Sequence, residues 1–247
     1  MRHSLAQPRA STHRPAQRML GAGAAGHTYS IVARCARTGM VGAAITSSSI
    51  AVGSRCIFAA PGVGAVATQN YTDPRLGRLG LDLLRRGYSA QATLDQLVQA
   101  GRFPEHRQIA CVDFDGGSAA HSGSRALPVY AELTASDVAV AGNLLAGPEV
   151  VQSMLDSFTA HPGDALADRL VNALAAGYAA GGEVGHAERA AAVLVFDRDS
   201  FPAADLRIDW DEQDPVSALR SLLGRFTPEA RTFERWAKNP TEVTDAY

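Results

Sequence analysis

Lysine is nearly absent from this 247-residue chain: Lys238 is the only one, and arginine carries the rest of the positive charge. No lysine before Lys238 is available as a general base or Schiff-base nucleophile. Cysteine is scarce as well. Cys35, Cys56 and Cys111 are odd in number and lie at no metal-ligand spacing, so neither a metal site nor a closed disulfide set is read from them. Three reduced thiols in a cytoplasmic protein are expected. No apolar run reaches the roughly 18 residues of a membrane span, so no membrane partner is expected. The net charge of −2 is too balanced for a general nucleic-acid binder. What is present is globular material: 46% hydrophobic and 19% charged residues, with 23 Gly and 12 Pro, which excludes wholesale disorder and a fibrous repeat.

Residues 1–27 differ from the rest. They hold Arg2, Arg9, Arg14 and Arg18, no acid, and apolar residues without period. We read them as a basic leader, disordered or removable, that does not pack. Met19 to Ala25 is mostly Gly and Ala, which makes a poor apolar core for a signal peptide. Met19 is an alternative start. Gly21, Gly23 and Gly26 spell G-x-G-x-x-G, but an Arg-rich segment precedes them and a β-prone run follows. A dinucleotide loop needs a strand before and a helix after, so no cofactor is read here.

The body alternates between hairpins and helix pairs. Thr28–Arg34 and Met40–Thr46 read as strands joined by Arg37-Thr-Gly39. Arg55–Ala60 and Val63–Gln69 form a second pair across Pro61-Gly62. Asp73-Pro74 caps a helix with Leu76, Leu79, Leu83 and Leu84 inward, and Ser89 caps another with Ala90, Leu94, Leu97 and Val98 inward. Gln108–Asp113 and Ser118–Ser122 make a hairpin around Asp115-Gly116-Gly117. Val138–Leu145 is a further strand. Helices follow from Pro148 and from about Asp164 to Tyr178, then strands Ala190–Phe196 and Asp205–Trp210. Asp214-Pro215 starts one more helix and Pro228 the last. Strands between helix pairs argue against a doubly wound parallel sheet and for an α+β fold with antiparallel sheets.

Four stretches carry a resemblance. They are Thr28-Tyr-Ser-Ile-Val-Ala-Arg34 with Thr38-Gly39 and Val41-Gly-Ala43; Ser48-Ser-Ile-Ala-Val-Gly-Ser-Arg-Cys56 running into Gly62-Val-Gly-Ala-Val-Ala-Thr-Gln-Asn70 and Asp73-Pro74; Arg107-Gln108 leading into Ile109–Asp113; and Gly142-Asn-Leu-Leu-Ala-Gly-Pro-Glu149. With Asp214-Pro-Val-Ser-Ala-Leu-Arg220 at the far end, the chain resembles the bacterial Ntn-hydrolase-like family of unknown function DUF1028. The resemblance implies a four-layer αββα sandwich over residues 28–224, with 225–247 as a C-terminal helical extension. It also implies an N-terminal nucleophile: Thr28, whose own α-amine acts as general base. Such an amine titrates near ~8, close to working pH, and needs no His or Lys partner. Here 27 residues precede Thr28. An incorrect start codon, host proteolysis or self-cleavage at His27-Thr28 would expose it.

The site candidates follow. Thr28 is the nucleophile, or an ordinary edge-strand residue. Ser30 shares its strand face and orients the amine or satisfies itself against the ladder. Ser47, Ser48 and Ser49 are a solvated turn, or Ser48 tunes the nucleophile. Ser48 brings no positive charge, so Arg55 is the nearest electrostatic candidate. Gln69 and Asn70 bind substrate or form a turn. Asn143 donates to an oxyanion or is a turn residue. Asp113 and Asp115 belong to a hairpin turn, and Cys111 to the core, with His121 an unsupported partner. His186, Glu188 and Arg189 depart from the Gln-Ser or His-Ser pair of many relatives.

Two functions are expected from this. The first is an amidohydrolase cleaving a small-molecule amide through Thr28, without cofactor or metal. The second is a non-catalytic Ntn-fold protein that binds a small metabolite or assembles. Leu206, Ile208, Trp210, Phe226, Phe233 and Trp236 suit an interface as well as a core, so a homodimer or higher homo-oligomer is expected.

Overall fold

A computed structural model of the chain describes residues 27–242. The glycine motif, Met19 and the leader up to residue 26 lie outside the described residues. His27 does not: grouped with the leader in sequence, it is buried, its ring edge-on to His186 at 4.8 Å.

Strands β1 (Thr28–Arg34) and β2 (Val41–Ser47) form the expected hairpin, with Thr28 opposite Ser47. On its other edge β1 pairs with β8 (Val138–Asn143), which sets Thr28 opposite Asn143. With β7 (Ala131–Ala135), β9 (Ala190–Phe196) and β10 (Ala204–Ile208) they make a six-stranded antiparallel sheet of order β10-β9-β2-β1-β8-β7. A second, four-stranded antiparallel sheet runs β3 (Ile57–Ala60), β4 (Gly64–Asn70), β5 (Arg107–Asp113), β6 (Ser118–Ser122). The helices are α1 (Gly53–Cys56), α2 (Pro74–Arg85), α3 (Ala90–Ala100), α4 (Glu149–Ala160), α5 (Leu166–Ala179) and α6 (Pro215–Lys238).

Because side chains alternate along a strand, each sheet presents two different faces. Tyr29, Ile31 and Ala33 of β1 pack with Met154 and Phe158 of α4, Leu170 and Leu174 of α5 and Leu219 of α6. Val32 points the other way and joins Ala43, Ile45, Ala139 and Ala141 against Ala65, Ala67, Ala110 and Val112 of the second sheet. The far face of that second sheet, Val66, Ile109 and Cys111, packs on Leu76 and Leu84 of α2 and Leu94 and Leu97 of α3. Bulky residues thus meet helices, and mostly alanine lies where the two sheets meet, which lets their backbones approach. Arg169 of α5 ties the α4–α5 pair, donating from Nε and Nη2 to the Phe158 carbonyl at 3.2 and 2.9 Å.

Four sequence expectations are corrected. Leu79 is exposed; α2 faces the sheet with Leu76, Gly77, Gly80 and Leu84 instead. A Cβ at Gly77 would stand 2.0 Å from the Phe58 ring, so this helix sits too close to the sheet for a side chain there. Arg55 and Cys56 end α1 rather than begin β3. Strand β7 was not read at all; it is an Ala- and Glu-bearing edge strand, only partly buried, with weak strand propensity. Pro228 does not start a helix: α6 runs through it for 24 residues, across the 224/225 boundary. The hairpin reading of Asp113 holds, its carboxylate accepting from the amides of Asp115 at 3.1 Å and Gly117 at 2.7 Å. Among the described residues no helix is long and apolar enough to cross a membrane.

Candidate functional site

Thr28 opens β1 and is buried. Its register partners are Ser47, the last residue of β2, and Asn143, the last of β8, so three polar residues meet at one end of the six-stranded sheet. The Thr28 hydroxyl lies 3.1 Å from Ser47 Oγ. The Ser47 hydroxyl in turn donates to the His27 carbonyl oxygen, and the Ser49 amide donates to Ser47 Oγ at 3.0 Å. A hydroxyl has one proton to give. With Ser47 donating to His27, Thr28 is the donor in the Thr28–Ser47 bond. The two hydroxyls form a short relay ending on the carbonyl of the residue before Thr28.

Beside the relay lies a buried amide network. Gln69 Nε2 donates to Gln108 Oε1 at 2.7 Å, to the Ala141 carbonyl at 3.2 Å and, more weakly, to the Thr28 carbonyl at 3.5 Å. All three neighbours are acceptors, which fixes which end of the Gln69 amide is nitrogen. Asn143 Nδ2 donates to the same Gln108 Oε1 at 3.2 Å. Gln108 Nε2 then donates to the Gly142 carbonyl at 2.9 Å and Ser122 Oγ at 2.8 Å. Gln108 thereby pins the end of β8 against the second sheet. Gln69 Oε1 and Asn143 Oδ1 are buried and have no hydrogen-bond partner among the described residues.

A cavity of about 400 Å³ opens beside Thr28, lined by Ser49, Val52, Arg55, Cys56, Gln69, Asn70, Tyr71, Thr72 and Arg107. Four of the seven sequence candidates line it: Thr28, Arg55, Gln69 and Asn70. Asn70 is committed structurally. It sits at φ +65°, its Nδ2 donates to the His106 carbonyl at 2.6 Å and its Oδ1 accepts from the Leu127 amide at 3.3 Å. Asn143 is one step behind the cavity, touching it through Gln108 and Gln69. Ser30 is fully buried deeper along β1, its hydroxyl without a partner among the described residues. Ser48 is outside the cavity. It is Ser47, one residue earlier and on the opposite strand face, that reaches Thr28.

Of a second cluster the sequence named only His186 and Glu188, as a departure from the pair of many relatives, and missed Glu183 and His27. Glu183 and Glu188 lie in the Gly-rich segment between α5 and β9, and both are buried. Glu183 Oε2 accepts from the Ser48 amide at 3.1 Å and lies 4.0 Å from His27 Nδ1. Glu188 Oε1 accepts from the Glu183 amide at 3.1 Å and from the Tyr29 hydroxyl at 3.3 Å. Burial, with Glu188 nearby, holds the Glu183 carboxyl well above the usual range, and burial also raises Glu188. Burial and then His186 lower the His27 imidazole. Two acids five apart beside Gly181 and Gly182 were the only sequence signal.

Cys111 is excluded as an alternative nucleophile. It packs among α2 and α3, and burial pushes its thiol far above neutral, whereas attack needs a thiolate. Among the described residues no group of three or more His, Cys, Asp or Glu is placed to hold a metal.

The model of a family of unknown function, DUF1028, matches residues 28–219, beginning at Thr28 itself. The crystal structure of a protein from Silicibacter pomeroyi, described under the same family model, covers 81% of this chain and 89% of its own, at 29% identity and a TM-score of 0.75. Anbu (ancestral beta-subunit) from Yersinia bercovieri covers 83% of this chain and 96% of its own, at 12% identity and a TM-score of 0.40. No curated protein matches.

Proposed function

The chain belongs to DUF1028, a family of unknown function, and from that premise we propose that it is an N-terminal-nucleophile hydrolase cleaving a small-molecule amide through Thr28. The observation that carries this is the Thr28 hydroxyl at the wall of a polar cavity, hydrogen-bonded to Ser47. The proposal includes the four-layer αββα sandwich. Supporting it are the three apolar clusters: one joins the six-stranded sheet to α4, α5 and α6, one joins the two sheets, and one joins the four-stranded sheet to α2 and α3.

The chemistry requires a free Thr28 amine, because an amide nitrogen is no base. Once exposed, the amine takes the hydroxyl proton as Oγ1 attacks the substrate carbonyl carbon. The same proton passes to the departing nitrogen as the C–N bond breaks. Water then attacks the resulting ester, the amine again accepting a proton, and free Thr28 returns. Asn143 Nδ2 has a second hydrogen beyond the one given to Gln108, and we assign it to the oxyanion. The Ser47 hydrogen bond to the His27 carbonyl oxygen favours self-cleavage as the exposing step. It polarises the carbonyl that the adjacent Thr28 hydroxyl would attack.

Intact-mass measurement of the chain purified from its native host tests this directly, together with labelling by a β-lactone. The expected mature chain begins at Thr28 and gains one acyl group; Thr28→Ala gains none, and Thr28→Ser retains part of the labelling. A mature chain that still carries His27, or a Thr28→Ala variant that labels at the parent rate, would overturn the reading and leave the non-catalytic binding protein.

A further inference from the structure

We propose that the Thr28 cavity takes a ligand bearing a carboxylate, with Arg55 and Arg107 as its anion-binding side chains. Calling that ligand a substrate rests on the hydrolase reading above; the binding itself does not.

Among the described residues the cavity is lined by two arginines and by no acid, in a chain whose net charge is −2. Neither arginine enters an ion pair among the described residues. Both are instead held by neutral carbonyls. Arg55 Nη2 donates to Ile50 at 3.1 Å. Arg107 Nε donates to Arg102 at 3.1 Å, and its Nη1 to Tyr71. Carbonyl contacts fix the guanidinium planes without cancelling their charge, and each fork keeps N–H groups to spare. Asp73 is the acid that senses Arg107, but its two oxygens are taken by Arg75 Nε and Nη2 at 2.9 and 2.8 Å. Two half-buried positive charges without a counter-ion among the described residues, in a concave site, select an anion, and the planar fork matches a carboxylate.

Gln69 adds the second determinant. Its Oε1 is buried, unpartnered among the described residues and belongs to a side chain lining the same cavity. It is an acceptor whose missing bond a ligand N–H would supply. A volume of about 400 Å³ suits a small metabolite. An amide N–H beside Gln69 and Thr28, with a carboxylate toward the arginines, describes an N-acylated amino acid.

Calorimetric titration of the full chain tests this with two size-matched probes, N-acetyl-L-glutamate and N-acetyl-L-glutaminamide, in which both carboxylates become carboxamides. The acid is expected to bind about tenfold or more tightly than the diamide, as loss of charge-assisted hydrogen bonds implies. Added salt should weaken only the acid. Arg55→Gln and Arg107→Gln should each erase most of the preference while the melting temperature is retained. Should Arg107→Gln fail to fold, Arg55→Gln decides alone. Equal binding of both probes, no binding of either, or an Arg55→Gln variant that keeps the preference would overturn the proposal. The labelling assay reads the hydrolase reaction and this titration reads binding alone, so failure of the hydrolase reading is separate from failure here.

Discussion

Ser47, Ser48 and Ser49 carry the same hydroxyl, and position alone gives Ser47 its role. Ser47 accepts from Thr28 and from the Ser49 amide and donates to the His27 carbonyl. Asn143 is its counterpart on the other side of Thr28. If Asn143 Nδ2 serves the oxyanion, Asn143→Ala should lower turnover by about 10²–10³-fold, against about 1 kcal/mol of stability for the lost bond to Gln108. Turnover kinetics and thermal melting of the same sample measure both. A lower melting point with normal turnover would reduce Asn143 to holding Gln108. Glu183 has a different signature. Its carboxyl is raised in the fold, so its contribution to stability is full below the ordinary Glu value of 4.5 and is lost as pH rises through the folded value. Glu183→Gln keeps an acceptor for the Ser48 amide and removes the ionisation. The variant should melt above the parent at pH 8, and the gap should close toward pH 5; a gap of constant size would mean that Glu183 does not titrate in this range.

At the scale of elements, α2 shows how position overrides pattern. Its leucines promised a stripe through Leu79, yet the glycines face the sheet because Phe58 occupies the space. Gly77→Ala should therefore cost about 1–3 kcal/mol through overpacking, despite the helix-propensity gain of Ala over Gly. Denaturant unfolding measures this, and a stabilised variant would show that Phe58 moves aside. The caps were legible because they are local: Asp73 accepts from the Arg75 amide at 3.1 Å, Ser89 from Ala92 at 3.2 Å and Asp214 from Ser217 at 2.9 Å. Pro228 misled for the same reason. A proline signals a helix start from its own neighbourhood, but α6 has already begun at Pro215 and runs on past Pro228, although its buried positions, Leu219 and Leu223, come before that residue.

For the whole molecule, the end of α6 remains open to solvent. Trp236 is 39% exposed and Phe233 38%. Phe233 and Trp236 lie 5.5 Å apart between ring centroids, inclined at 59°. We propose that these rings serve self-association. The parent should sediment as a dimer or larger species, and Phe233→Ser with Trp236→Ser should sediment as a monomer; a monomeric parent would refute the assembly.

By itself the sequence determined the hairpins, the capped helices, the α+β class and the place of Thr28 at the head of the first strand. Those signals are short-range: period, cap and turn residues act over a few positions. Only the tertiary structure decided which side chains Thr28 meets. Ser47 is chosen over Ser48 by the antiparallel register, because a one-residue shift turns a side chain to the other face. Gln108 and Arg107 come from the other sheet, Asn143 from β8 and Glu183 from beyond α5. Strand pairing and sheet packing bring them together from distant parts of the chain, and no local pattern encodes that meeting.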